Sequence, residues 1–107
     1  MILFPEAGPF GYFSPRFTMR HYNITVKGNV QGVSYRFATL RKAHKLSLTG
    51  FVKNLHNGDV YIEAEGKEEN INKLIEWCYI GPPKAEVTEV HAEEKELVNF
   101  RNFEIKK

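Results

Sequence analysis

The chain has 107 residues, 42% of them hydrophobic and 26% charged. That length and balance describe one folded domain with one core, and they exclude a coiled coil or a disordered body. The net charge of +2 is too small for the concentrated basic face that nucleic-acid binding needs, although it is compatible with a small anionic substrate.

Cys78 is the single cysteine. An internal disulfide and a cysteine-based zinc site are therefore excluded, and a reducing compartment is favoured. His21, His44, His56 and His91 lack the tight spacing of paired metal ligands. They read as surface or strand histidines, and no metal or cofactor is expected. No run is long enough for a membrane-spanning helix. Met1-Ile2-Leu3-Phe4 has no basic lead, and Pro5, Gly8, Pro9 and Gly11 break up any apolar run after it, so no signal peptide is expected. The expected location is cytoplasmic, with no membrane partner.

Residues 1–20 combine three prolines with Phe4, Phe10, Tyr12, Phe13 and Phe17. Proline and glycine at this density prevent regular structure, yet the aromatics are unlike a solvated tail. This extension is read as a tag, a mis-started leader with Met19 as the natural start, or an extended docking arm that contacts a neighbouring chain. Residues 21–107 form the domain.

Residues 22–27 alternate, with Tyr22, Ile24 and Val26 on one face, as in a half-buried strand. Residues 34–45 lack glycine and proline and read as a helix that starts near Ser34, a good N-terminal residue. A second strand covers residues 48–53. Asn57-Gly58 marks a hairpin, because both residues tolerate positive φ. A third strand comes next over residues 60–65, with Val60, Ile62 and Ala64 facing the core. Ile71, Leu74, Ile75 and Cys78 place a helix over residues 68–79. That stripe makes Cys78 a buried, inert thiol rather than a nucleophile. Val87 and Val90 have opposite parity within a strand over residues 85–94, and a bulge between them reconciles the two. Residues 99–106, with Phe103 and Ile105 alternating, read as a short final strand.

The order β-α-β-β-α-β, plus a short terminal strand, predicts an α+β fold. Its form is a ferredoxin-like split βαβ sandwich: an antiparallel sheet with two helices on one face and the other face toward solvent.

Between the first strand and the first helix runs Gly28-Asn29-Val30-Gln31-Gly32-Val33-Ser34-Tyr35-Arg36. It has two glycines, no acid and an arginine at its far end. A strand that turns through such a loop into a helix points several backbone N–H groups at one place, which suits an oxyanion. Arginine adds a bidentate donor. Most connections of this kind bind nothing, so the loop alone does not decide.

The loop closely resembles the acylphosphatase signature G-x-V-Q-G-V-x-[FY]-R. Gly50-Phe51-Val52-Lys53-Asn54 resembles the family's second signature, G-[WF]-V-x-N. Asn57-Gly58-x-Val60 and Gly81-Pro82-Pro83-x-Ala85-x-Val87 are similar to its hairpin and to its loop into the fourth strand. Ser47 stands where glycine is frequent, Phe51 where tryptophan is commoner, and Asn57 where aspartate is usual. The resemblance spans about residues 21–107. It implies metal-free, cofactor-free hydrolysis of acyl phosphates to a carboxylate and inorganic phosphate. It makes Arg36 and Asn54 the catalytic residues. The backbone amides of Gln31, Gly32, Val33, Ser34 and Tyr35 would hold the phosphoryl group, and phosphate, sulfate or chloride could occupy the same loop.

The chemistry is consistent with these residue types. Phosphoryl transfer asks mainly for positioning and charge stabilisation. Asn54 has one acceptor and two donor hydrogens and no useful basicity, so it can orient a water while the substrate's own phosphate oxygens take the proton. Taken singly, Arg36 would be a solvated helix arginine and Asn54 a turn former; the paired signatures overturn both readings together. His56 is read as a loop histidine.

Three other readings stand beside this one. The first is a related module acting on carbamoyl phosphate within a larger hydrogenase-maturation protein. The second is an RNA-binding sheet that uses Phe51 and Tyr61 as stacking rings, which the acidic third strand disfavours. The third is a catalytically silent ligand-binding domain.

Overall fold

A computed structural model describes residues 18–107. Residues 1–17 of the expected arm, and any contact they make with a neighbouring chain, lie outside the described residues; its last two residues, Met19 and Arg20, belong to the first strand. The elements are β1 (Met19–Asn29), α1 (Tyr35–Lys45), β2 (Thr49–Asn54), β3 (Val60–Lys67), α2 (Glu68–Cys78), β4 (Glu86–Lys95) and β5 (Phe103–Ile105).

The strands lie in the order β4-β1-β3-β2-β5. β1 is antiparallel to both β3 and β4, and β2 is antiparallel to β3. This is the split βαβ arrangement. The short β5 departs from the expected antiparallel pattern, since it runs parallel to β2 with Val52 opposite Ile105.

Alternation along the strands sets the core. Ile24, Val26, Val52, Val60, Ile62 and Ala64 form one core with Ile71, Leu74 and Cys78 of α2. From α1 come Tyr35, Thr39 and Ala43, one stripe at four-residue spacing. Thr39 is tolerated there because its hydroxyl donates to the Tyr35 carbonyl at 2.8 Å. Phe37, on another face of α1, is left exposed.

β1 begins at Met19, earlier than alternation predicts. Met19 pairs with Lys67, and the Arg20 guanidinium donates to Glu94 at 2.9 Å. The bulge that the parity of Val87 and Val90 requires is present. Lys27 lies opposite Glu89 and Gly28 opposite Val87, so Thr88 is the extra residue, and both valines pack against the core.

The expected β2–β3 hairpin is present, but Asn57 and Gly58 do not both take positive φ. Only Gly58 is left-handed, at φ 101°. Asn57 works through its side chain, whose Oδ1 accepts the Asp59 N–H at 3.0 Å, in the way an asparagine mimics a backbone turn. The Leu55 N–H closes the loop by donating to the Asp59 carbonyl at 2.8 Å.

The face away from the helices was expected to be open. Part of it is covered by the chain between β4 and β5. The Glu65 carboxylate accepts the backbone N–H groups of Val98, Asn99 and Phe100. Its Oε2 also lies 2.7 Å from His21 Nδ1. The Phe100 ring stacks on His21 at 5.7 Å. His21 is therefore a strand histidine, as expected, but one that is only 1% exposed. Phe51 is enclosed as well, by Tyr61, Phe100 and the Lys106 ammonium. At 9% exposure its ring is not a free platform for a base.

Candidate active site

The loop after β1 has an unusual backbone. Gly32 at φ 75° and Ser34 at φ 68° are left-handed, whereas Gln31, Val33 and Tyr35 between and beside them have negative φ. Alternation of this kind turns successive N–H groups toward one concave side, a nest for an anion. It also explains why Ser34 does not act as the expected N-terminal residue. It occupies the capping position of α1 but makes no side-chain cap bond. Among the described residues, the N–H groups of Gly32, Val33 and Ser34 have no protein acceptor. The first turn of α1 also holds no acidic residue. The uncapped positive end of the helix and the nest point to the same kind of guest.

Tyr35 anchors this arrangement from below. Its hydroxyl donates to the Cys78 carbonyl at 2.7 Å, and its ring packs on Trp77 at 5.4 Å. Gly81, left-handed at φ 67°, lets the ring approach so closely that an added Cβ would lie 2.6 Å from it. Burial pushes the phenol far above its ordinary value. The Tyr35 side chain is a fixed donor that sets where α1 starts.

β2 delivers Asn54, its last residue. Val60 of β3 lies opposite Val26 of β1 on one side and opposite Asn54 on the other. The end of β1 and the end of β2 therefore flank one residue, about 10 Å apart at two strand spacings. Gln31 closes that gap. Its Nε2 donates to the Leu55 carbonyl at 2.7 Å and to the Asp59 carbonyl at 2.8 Å. Lys27 adds a 2.7 Å bond to the Asp59 carboxylate. The loop is thereby stapled to the turn that comes after Asn54.

Arg36, Asn54, Gly32, Ser34 and Tyr35 line one cavity of about 500 Å³. Asn54 Oδ1 is buried and has no protein partner. A buried amide oxygen without a donor is costly, so this atom is set to accept from a water or a ligand. The side chains of two expected phosphate-loop residues lie away from this cavity, which leaves only their backbone amides for the expected role. Val33 borders a neighbouring hollow with Pro82 and Pro83, and the Gln31 side chain points to the β2–β3 turn. Sequence reasoning missed that bridge and the Lys27–Asp59 pair. The only signal was a side-chain amide with two donors beside a turn whose carbonyls lacked evident partners. Among the described residues, no three His, Cys, Asp or Glu side chains are grouped so as to hold a metal ion.

Residues 22–105 match the acylphosphatase family model. The chain belongs to the acylphosphatase family. An acylphosphatase of Acaryochloris marina is 50% identical over 80 residues, which is 75% of this chain and 86% of that protein. The solved acylphosphatase of Coxiella burnetii superposes with a TM-score of 0.80 at 41% identity, over 82% of this chain and 93% of its own. That of Bacillus subtilis gives 0.81 at 35% identity, over 84% of this chain and all of its own. As a member of the acylphosphatase family, the chain has the family's ferredoxin-like fold, and no described helix is long and apolar enough to cross a membrane.

Proposed function

We propose that this protein hydrolyses acyl phosphates, with Arg36 and the amides of residues 31–35 holding the phosphoryl group and Asn54 orienting the attacking water. One observation supports the assignment of roles: Arg36 and Asn54 border the same cavity as the uncapped loop, and Asn54 Oδ1 has no protein partner.

The phosphoryl oxygens sit in the nest, and the Arg36 guanidinium pairs with them. A water donates one hydrogen bond to Asn54 Oδ1, which turns its lone pair toward phosphorus. Attack forms a new P–O bond and breaks the bond from phosphorus to the carboxylate oxygen. The carboxylate departs with the electron pair, and the water's proton passes to a phosphate oxygen. Arg36 and the amides are most effective as charge redistributes on the equatorial oxygens. Nothing in this scheme calls for a metal. Inorganic phosphate, as a product, occupies the same nest and competes with substrate, and sulfate or chloride does so more weakly. The single unpaired thiol suits a reducing, cytoplasmic setting.

The test is benzoyl phosphate hydrolysis by the wild type, Arg36→Ala and Asn54→Ala, with a chelator present. We expect turnover that chelator leaves unchanged and that either substitution nearly abolishes. An inactive wild type, or two fully active variants, would overturn the reading.

A further inference from the structure

Two exposed apolar side chains border the cavity that holds Arg36 and Asn54. Phe37, in the first turn of α1, is 55% exposed, and Ile105, in β5, is 38% exposed. They come from elements that are distant in sequence, and both leave apolar surface in water at the rim of a polar hollow. Single exposed hydrophobic residues need no explanation, but two that share one cavity with convergent polar groups form a pattern expected of a ligand site. Val30 adds apolar wall to the same cavity, and Lys107 adds a cation to it.

Neither side chain is loose. Ile105 is held through β5, whose residue 105 pairs with Val52 and whose next residue, Lys106, donates its N–H to the Val52 carbonyl at 2.9 Å. The Lys106 ammonium then lies 4.4 Å over the Phe51 ring, a cation–π contact that fastens the end of the chain to the sheet. Phe37 has the Arg41 guanidinium 5.9 Å from its ring centroid. A rigid aromatic ring and a branched aliphatic side chain then flank the mouth of a site whose floor binds an anion.

We propose that Phe37 and Ile105 receive the acyl group of the substrate, so that this protein prefers acyl phosphates with an aromatic or branched apolar acyl chain over acetyl phosphate. This rests on the acyl phosphate reading above. With the phosphoryl group in the nest, the acyl carbon must point out of the cavity toward this rim. A benzoyl ring brings much more apolar surface to this rim than an acetyl group does. The contact removes apolar surface from water on both partners, and an aromatic acyl group adds an offset ring contact with Phe37.

The experiment compares kcat/KM for benzoyl phosphate and acetyl phosphate in the wild type, Phe37→Ala, Phe37→Leu and Ile105→Ala. The inhibition constant of inorganic phosphate reports on the nest separately. We expect the wild type to favour benzoyl phosphate by roughly tenfold or more, the scale of an apolar side-chain contact. Phe37→Ala and Ile105→Ala should each compress that ratio by about threefold to tenfold, Phe37→Leu should compress it less, and phosphate inhibition should keep its wild-type constant in all three variants. A wild type that is active but indifferent between the two substrates overturns the inference and leaves the acyl phosphate reading standing. So do variants that lower both activities equally. A wild type that hydrolyses neither substrate overturns both.

Discussion

Gln31 donates from one nitrogen to the Leu55 carbonyl at 2.7 Å and to the Asp59 carbonyl at 2.8 Å, which fixes the loop after β1 to the residue next to Asn54. This bridge sets the distance between the two halves of the site. Gln31→Leu should lower kcat by about tenfold to a hundredfold, the effect of a misplacement of about 1 Å. Stability should fall by only about 1 kcal/mol, the net worth of such bonds. If the loss arises from misalignment with Asn54, it should largely vanish in an Asn54→Ala background, because the two changes would be coupled. Steady-state rates of the two single variants and the double variant check this, and fully additive losses would argue against it.

Ser47 closes α1. It is left-handed at φ 57°, its N–H donates to the His44 carbonyl, and the Leu48 N–H donates to the Ala43 carbonyl at 2.9 Å. These bonds form the glycine-type helix end, built here with a residue that bears a Cβ. Ser47→Gly relieves that strain, less the entropy that glycine adds to the unfolded chain. We expect a gain of about 0.5–1 kcal/mol and a rise in Tm of about 3–6 °C for a domain of this size, measured by thermal unfolding, with kcat unchanged.

Burial acts to raise the Glu65 carboxyl, but His21 and the N–H groups of Val98, Phe100 and Asn99 outweigh it and hold the carboxyl below its ordinary 4.5. A depressed carboxyl stabilises the fold above its unfolded value and loses that contribution as pH falls through the folded value. Stability should therefore decline as pH drops below about 4.5. Glu65→Gln should cost about 1–3 kcal/mol at neutral pH and flatten the acid limb, so that the two proteins converge in acid. Urea titrations across pH test this. Glu65 lies five residues along β3 from Val60, roughly 17 Å away at strand spacing, so kcat at neutral pH should not change.

Cys78 is fully buried, and burial pushes its thiol up to about 12. In the native protein it should resist an aromatic disulfide reagent at pH 8, since the thiolate is the reactive form. Labelling should proceed only through opening of the fold. A label rate that rises with urea concentration in step with unfolding supports this, and rapid native labelling would contradict it.

Much of the fold was legible because β3 and α2 each carry an apolar pattern of a single period. α1 was less so. Its buried stripe includes Thr39, whose hydroxyl is satisfied by the Tyr35 carbonyl, and it leaves Phe37 outside. Arg36 and Asn54 are ordinary residue types at ordinary places, and only the two signatures together marked them. The Gln31 bridge could not be read, because it depends on β1 and β2 flanking β3, a fact of sheet order that no local pattern carries. The same holds for His21. It reads as a surface or strand histidine, and nothing local indicated that residues 96–102 return over the sheet to meet Glu65.

Each neighbour of β1 lies far along the chain. Val26 is opposite Val60 on one side and Val90 on the other, and neither pairing can be made by a short hairpin. Long loops must close before such contacts repay the lost entropy, so folding should take milliseconds to seconds rather than microseconds. The proposed catalytic pair, Arg36 and Asn54, comes together only after β1 has paired with β3, since one member comes after β1 and the other ends β2. After dilution from denaturant, hydrolysis should return in the slowest phase, behind the helical circular dichroism signal. Recovered turnover is therefore a clock for the last long-range pairing of the sheet.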